Sequence, residues 1–143
     1  MKKINHFING KEYISKSDRF GDIFNPASGE KIGSVSFANK DDVALAIQNA
    51  SDAQKKWAAT PPLARSRVMF KFKELILRDM DKLALELTNE HGKILSDSVG
   101  SLTRGMEVVE FACGIPHLLK GEFSENVGTE IDSWSTRQPL GVC

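Results

Sequence analysis

Two neighbouring runs decide the reading: Asn89-Glu90-His91-Gly92-Lys93, and then Arg104-Gly105-Met106-Glu107-Val108-Val109-Glu110-Phe111. Ahead of the first, Leu83, Ala84 and Leu87 recur at helical spacing until Gly92, a residue suited to the left-handed turn that ends a helix. The second run lies inside a longer pattern. Leu95, Val99, Leu102, Met106, Val109 and Cys113 step by four and three, which predicts a helix from about Ser96 to Leu119. Val108, Phe111 and Ile115 add apolar surface on a second side, so this helix is expected to be covered on more than one face. Pro116 should kink or end it, and Gly121 closes the segment. On this largely apolar helix sits a lone arginine, Arg104.

Upstream, Asn9-Gly10 between Phe7-Ile8 and Tyr13-Ile14 is the dipeptide that most favours a tight hairpin. Phe20 to Phe24 reads as a further extended piece, and Asn25-Pro26 and Ser28-Gly29 turn the chain before Ile32 to Phe37. Asn39 is a helix cap with Asp42 three residues on, and Asp41-Asp42 meet the positive end of the helix dipole. Val43, Ala46, Ile47, Ala50 and Trp57 then share one face. Thr60-Pro61 reads as a cap followed by a first-turn proline, opening a helix whose buried stripe is Val68, Phe72, Leu75 and Ile76. Arg78-Asp79-Met80-Asp81 reads as a break with a new cap.

Downstream, Thr129 to Arg137 alternates β-prone residues with polar ones and reads as an extended strand with two polar faces, suited to a solvent-facing sheet or a subunit contact. Pro139-Leu140-Gly141-Val142-Cys143 is a proline bend entering an apolar run, the way a buried parallel strand begins. Strands followed by helices with apolar stripes, and then strands again, make the fold class α/β, with helical faces that need a sheet to lie on.

Composition narrows the function. The chain has 143 residues, 41% hydrophobic and 27% charged, as expected of a globular protein able to bury a core. Nineteen basic residues balance nineteen acidic ones with no long run of either sign, which argues against nucleic acid or an anionic membrane as the partner. No apolar run is long enough to span a bilayer. Cys113 and Cys143 make neither a disulfide framework nor a metal site, and a reducing, cytoplasmic setting is expected.

Candidate chemistry is sparse. The glycines are dispersed, with no glycine-rich phosphate loop after a strand. His6, His91 and His117 lack ligand spacing and read as structural or exposed. Both cysteines lie in apolar surroundings and read as inert thiols. Taken alone, Arg104 reads as a surface arginine whose stem covers apolar area and whose head meets Glu107 or Glu110.

The order NEHGK, RGMEVVEFACG and RQPLGVC resembles the methylmalonate-semialdehyde dehydrogenases of the aldehyde dehydrogenase superfamily, and FINGKEY and FNPASGE look like that superfamily's N-terminal strands. The resemblance runs along essentially the whole chain but covers only an N-terminal portion of such an enzyme. It implies that residues 1–121 are the N-terminal part of an NAD-binding domain, that 122–138 are strands of an oligomerisation arm, and that 139–143 begin the first core strand of the NAD-binding domain. It implies an enzyme that uses NAD as cofactor and coenzyme A as co-substrate, and that assembles as a homo-oligomer, a dimer or tetramer, when complete.

In the mechanism it implies, a cysteine thiolate attacks a semialdehyde and a hydride leaves to NAD. The thioester then loses carbon dioxide, and coenzyme A accepts the acyl group. The thiolate, the acid/base glutamate and the cofactor contacts are expected beyond Cys143, so the chain is not expected to be active alone. One functional residue carries over, as a substrate-binding group. The group has an arginine in the same RGxExVEF context on a helix lining the substrate tunnel, and a guanidinium can hold the substrate carboxylate through two hydrogen bonds. Two alternatives stand beside this reading: an aldehyde dehydrogenase for a different substrate, and a self-standing helical interaction module.

Overall fold

The structure is a computed structural model that describes residues 2–143. Strand β1 (Lys2–Ile4) pairs in parallel with β5 (Lys31–Ser36), which pairs antiparallel with β4 (Phe20–Phe24). Strands β2 (His6–Ile8) and β3 (Lys11–Tyr13) form the expected hairpin. Its two turn residues, Asn9 and Gly10, take φ of 55° and 73°, the left-handed pair that a two-residue turn needs to match strand twist.

Helix α1 (Lys40–Ala59) starts at a complete capping box. The Asn39 side chain accepts from the Asp41 and Asp42 N–H groups, and the Asp42 carboxylate accepts from the Asn39 N–H at 2.8 Å. The same buried carboxylate accepts from the Ser15 hydroxyl at 2.5 Å and the Tyr13 hydroxyl at 3.0 Å, which ties the hairpin to the start of the helix. The Ser15 hydroxyl foremost, then the Asn39 N–H, hold the Asp42 carboxyl below its ordinary value, while the Asp42 bond raises the Tyr13 phenol. Sequence reasoning found the cap, but the two hydroxyls come from residues 27 and 29 positions away and leave no local signal.

Helices α2 (Pro62–Arg78) and α3 (Met80–His91) pack with α4 (Leu95–Cys113). Thr60 closes α1 rather than opening α2: its N–H donates to the Trp57 carbonyl, its hydroxyl to that of Lys56, and Pro61 takes the cap position. The break at Asp79 is present, but Asp79 caps nothing with its side chain because Arg78 holds the carboxylate at 3.0 and 2.7 Å. Gly92 ends α3 with φ 81°. Helix α4 stops at Cys113, six residues earlier than expected, and Pro116 sits in a 3-10 turn, Ile115–His117.

In place of the one strand expected over Thr129 to Arg137 there is a hairpin. β6 (Phe123–Gly128) pairs antiparallel with β7 (Ile131–Trp134), and Thr129-Glu130 form the turn between them. Residues 135–143 carry no helix or strand.

The buried line of α4 runs through Ser98, Met106 and Cys113, not through Leu95 and Val99, which are exposed. The Ser98 and Thr88 hydroxyls bond at 2.8 Å and fix α3 on α4. The Ser66 hydroxyl donates to the Cys113 carbonyl at 2.6 Å and fixes α2 there. Much of what the sequence marks as buried is open, including Val43, Ile47 and Trp57 on α1 and Val68, Phe72 and Leu75 on α2. Accessible surface totals 11165 Å², against about 7,300 Å² for a closed monomer of this mass. Apolar helix faces with nothing packed on them contribute to the difference, together with the exposed hairpin and the 135–143 segment.

Candidate functional site

The site forms where α3 hands over to α4. The left-handed cap at Gly92 turns the chain so that Lys93 lies over the first turns of α4. There the Lys93 ammonium stands 3.4 Å from the Asp97 carboxylate and donates to the Ser101 hydroxyl at 2.5 Å. Lys93 is well covered, its side chain 16% exposed. From the other side, Arg104 Nη2 donates to the same hydroxyl at 3.2 Å.

The arginine side chain runs back toward the helix N-terminus, as long side chains on helices do. Its Nη1 comes within 3.5 Å of where a side chain on Gly100 would begin. Arg104 has no ion-pair partner among the described residues. The expected contact with Glu107 or Glu110 does not form: the Arg104 side chain runs back to Ser101, and Glu110, six residues on, pairs instead with Lys73 of α2 at 2.6 Å, a bond that raises the Lys73 pKa. Arg104, Val108 and Phe111 follow one another at four and three residues, so they share a face of α4. Val108 is 68% exposed and Phe111 65%. The second apolar side of α4 is therefore uncovered, an apolar wall headed by a guanidinium with most of its five N–H donors free. Such a wall suits a small apolar molecule that carries one carboxylate.

The remaining candidates stay apart. His6 lies on β2 beside Tyr13, His91 ends α3, and His117 is in the 3-10 turn. Among the described residues, no three His, Cys, Asp or Glu side chains converge to hold a metal ion. Cys113 is buried and Cys143 exposed. No helix of the described residues is long and apolar enough to cross a membrane. Sequence reading singled out Arg104 but not Ser101 or Lys93. Ser101 sits one helical turn before Arg104 and could have been found by spacing. Lys93 reaches the site only because Gly92 reverses the chain, which spacing does not encode.

Helices α2 to α4 of this α/β chain present open apolar faces, with the Arg104 guanidinium on one of them. Residues 13–143 match the aldehyde dehydrogenase family, and the chain belongs to it. It is 43% identical over 142 residues to a malonate-semialdehyde dehydrogenase of Pseudomonas aeruginosa, spanning 99% of this chain and 28% of that protein. It is equally 43% identical over 141 residues to the acylating, mitochondrial methylmalonate-semialdehyde dehydrogenase of Arabidopsis thaliana, covering 99% of this chain and 23% of that one. In structure it matches a Sinorhizobium meliloti protein, assigned as a methylmalonate-semialdehyde dehydrogenase and solved with NAD. That match has TM-score 0.93 and 49% identity over 99% of this chain and 29% of the other. The chain thus spans about a quarter of the length of these relatives, and the fold class expected from sequence, the N-terminal region of the aldehyde dehydrogenase fold, is the one observed.

Proposed function

We propose that the chain is the N-terminal part of an NAD-dependent, coenzyme A-acylating dehydrogenase of malonate or methylmalonate semialdehyde, in which Arg104 binds the substrate carboxylate. The observation that carries this reading is the Arg104 guanidinium, free of any carboxylate and heading the open apolar face of α4. A surface arginine with a purely structural role would be expected to use Glu107, three residues on. The relatives' names supply the substrate class, and the word acylating in one of them supplies coenzyme A.

Arg104 contributes binding and orientation. A substrate held by its carboxylate at the head of the apolar wall presents its aldehyde at a fixed distance along Val108 and Phe111. The described residues do not fit a dinucleotide. The left-handed glycines Gly10 and Gly29 serve turns, Gly92 ends a helix and Gly141 lies in the segment without helix or strand, and none opens a helix after a strand. The reading therefore assigns NAD, the nucleophile and the acid/base group to sequence beyond residue 143, and routes no step through them here. It assigns 1–121 to the cofactor-binding domain, 122–138 to an arm that joins subunits into a dimer or tetramer, and 139–143 to a core strand. The exposed Phe123, Val127, Ile131 and Trp134 of the hairpin support the arm assignment. A cytoplasmic setting belongs to the same reading.

The test is a chimera in which residues 1–143 replace the matching segment of the Pseudomonas aeruginosa enzyme. It is expected to reduce NAD and form acetyl-coenzyme A from malonate semialdehyde. A folded chimera that oxidises propionaldehyde but not malonate semialdehyde would assign the segment to a dehydrogenase of another substrate.

A further inference from the structure

We infer that Lys93 is a positioning residue for substrate selection, acting through Ser101 to hold the Arg104 guanidinium in the orientation that receives a carboxylate. This rests on the proposed role of Arg104 and adds two residues to it.

A serine hydroxyl has one hydrogen and two lone pairs. In this structure both lone-pair positions face cationic donors, Lys93 Nζ at 2.5 Å and Arg104 Nη2 at 3.2 Å. Three consequences follow. Bonds from charged donors are strong, so the lysine fixes the hydroxyl rotor and leaves its second lone pair aimed at the arginine. The serine hydrogen is left pointing away from both cations, available to an anion. The two cationic nitrogens also lie no farther apart than the two bond lengths together, with Asp97 as the one carboxylate bonded to either. The like charges repel, which keeps the guanidinium from closing further on Lys93 while Ser101 holds it.

The difference in burial sets the direction of control. Lys93 is packed between the end of α3 and α4, whereas Arg104 is exposed. An exposed arginine left alone spreads over many rotamers, and each bound carboxylate must then order it. Anchoring one nitrogen to Ser101 removes part of that cost before substrate arrives, while leaving enough donors for a two-point grip.

The test uses the chimera described above, with Lys93→Met, Lys93→Arg, Ser101→Ala and Arg104→Leu, and with Lys93→Met combined with Arg104→Leu. The measured quantities are kcat and KM for malonate semialdehyde and for propionaldehyde, which carries a methyl group where the former has its carboxylate. Lys93→Met and Ser101→Ala are expected to raise KM for malonate semialdehyde about ten-fold, of the order of one lost charge-assisted bond. KM for propionaldehyde and both kcat values should stay within about two-fold, since ground-state binding is what changes. Lys93→Arg should recover most of the loss, because a guanidinium also donates to Ser101. In the Arg104→Leu background, Lys93→Met should have no further effect.

Parallel losses on both substrates, complete inactivity included, would overturn the inference and leave Lys93 a structural role. An undiminished Lys93→Met effect without Arg104 would also overturn it, by showing that the ammonium acts directly on substrate. If Arg104→Leu leaves malonate semialdehyde unaffected, the underlying reading of Arg104 is what fails.

Discussion

Gly92→Ala is the substitution whose cost the structure specifies most fully. Gly92 has φ 81°, where an alanine is disfavoured by about 1–2 kcal/mol. Space adds a second penalty. A Cβ there would lie 2.9 Å from Pro26 Cγ and 3.3 Å from Pro26 Cβ, in the turn between β4 and β5. That overlap costs about a further 1 kcal/mol once the turn has moved aside. The end of α3, whose last bond is Gly92 N–H to the Thr88 carbonyl at 2.8 Å, should then open about 30- to 150-fold more often.

The assay is hydrogen exchange of peptides covering residues 84–92 in the chimera. Two further variants separate the terms. Gly92→Asn keeps the overlap but tolerates the left-handed backbone, so it should cost about 1 kcal/mol. Pro26→Ala in the Gly92→Ala background should return the overlap share. Gly105→Ala is the control: its Cβ meets nothing within 4 Å inside α4, and alanine there should slow exchange locally by about 0.5–1 kcal/mol. Equal exchange in Gly92→Ala and Gly92→Asn would refute the backbone part of the argument. Exchange within two-fold of the parent in both would refute all of it.

Three other consequences are checked on the same chimera. The Asp42 carboxyl is held low by Ser15 and Asn39, so its contribution is present at neutral pH and lost as pH falls below the ordinary carboxylate value and through the folded one. Protection of amides 39–46, corrected for intrinsic exchange, should drop over that acid range in the parent, while Asp42→Asn should start lower at pH 7 and vary little. Ser66→Ala leaves the buried Cys113 carbonyl unsatisfied and should cost about 1–3 kcal/mol, read as faster exchange over residues 110–117. Lys73→Met, which removes a partly exposed ion pair with Glu110, should cost under about 1 kcal/mol at the same place.

What the sequence revealed was what local chemistry encodes. Asn9-Gly10, Asn39 with Asp42, and Gly92 each announce a backbone conformation through their own side chain or its absence, and each sits where expected. Apolar spacing predicted one buried stripe on α2 and cover on more than one face of α4. It could not show which side meets α3 and which side waits, so Val68 and Phe72 were expected to be buried and are open here. The α4 core line begins at Ser98 rather than Val99 because a hydroxyl pair with Thr88 fixes the helix rotation, and hydroxyl pairs carry no periodic signal. Residue spacing, unlike the resemblance, did not mark strand β6, for a related reason: Asn126, with φ 52°, interrupts its alternation at a register shift. In the site, Arg104 stood out as a charge on an apolar helix and Ser101 lies within its spacing, while Lys93 reaches Ser101 only through a chain reversal seen in three dimensions.

The claim that Arg104 recognises a carboxylate is tested most directly by the ratio of kcat/KM for malonate semialdehyde to that for propionaldehyde, before and after Arg104→Leu in the chimera. Loss of a two-point ionic contact worth about 3 kcal/mol should lower that ratio on the order of 100-fold, through KM for the carboxylate substrate. An unchanged ratio would contradict the account, whatever happened to the absolute rates.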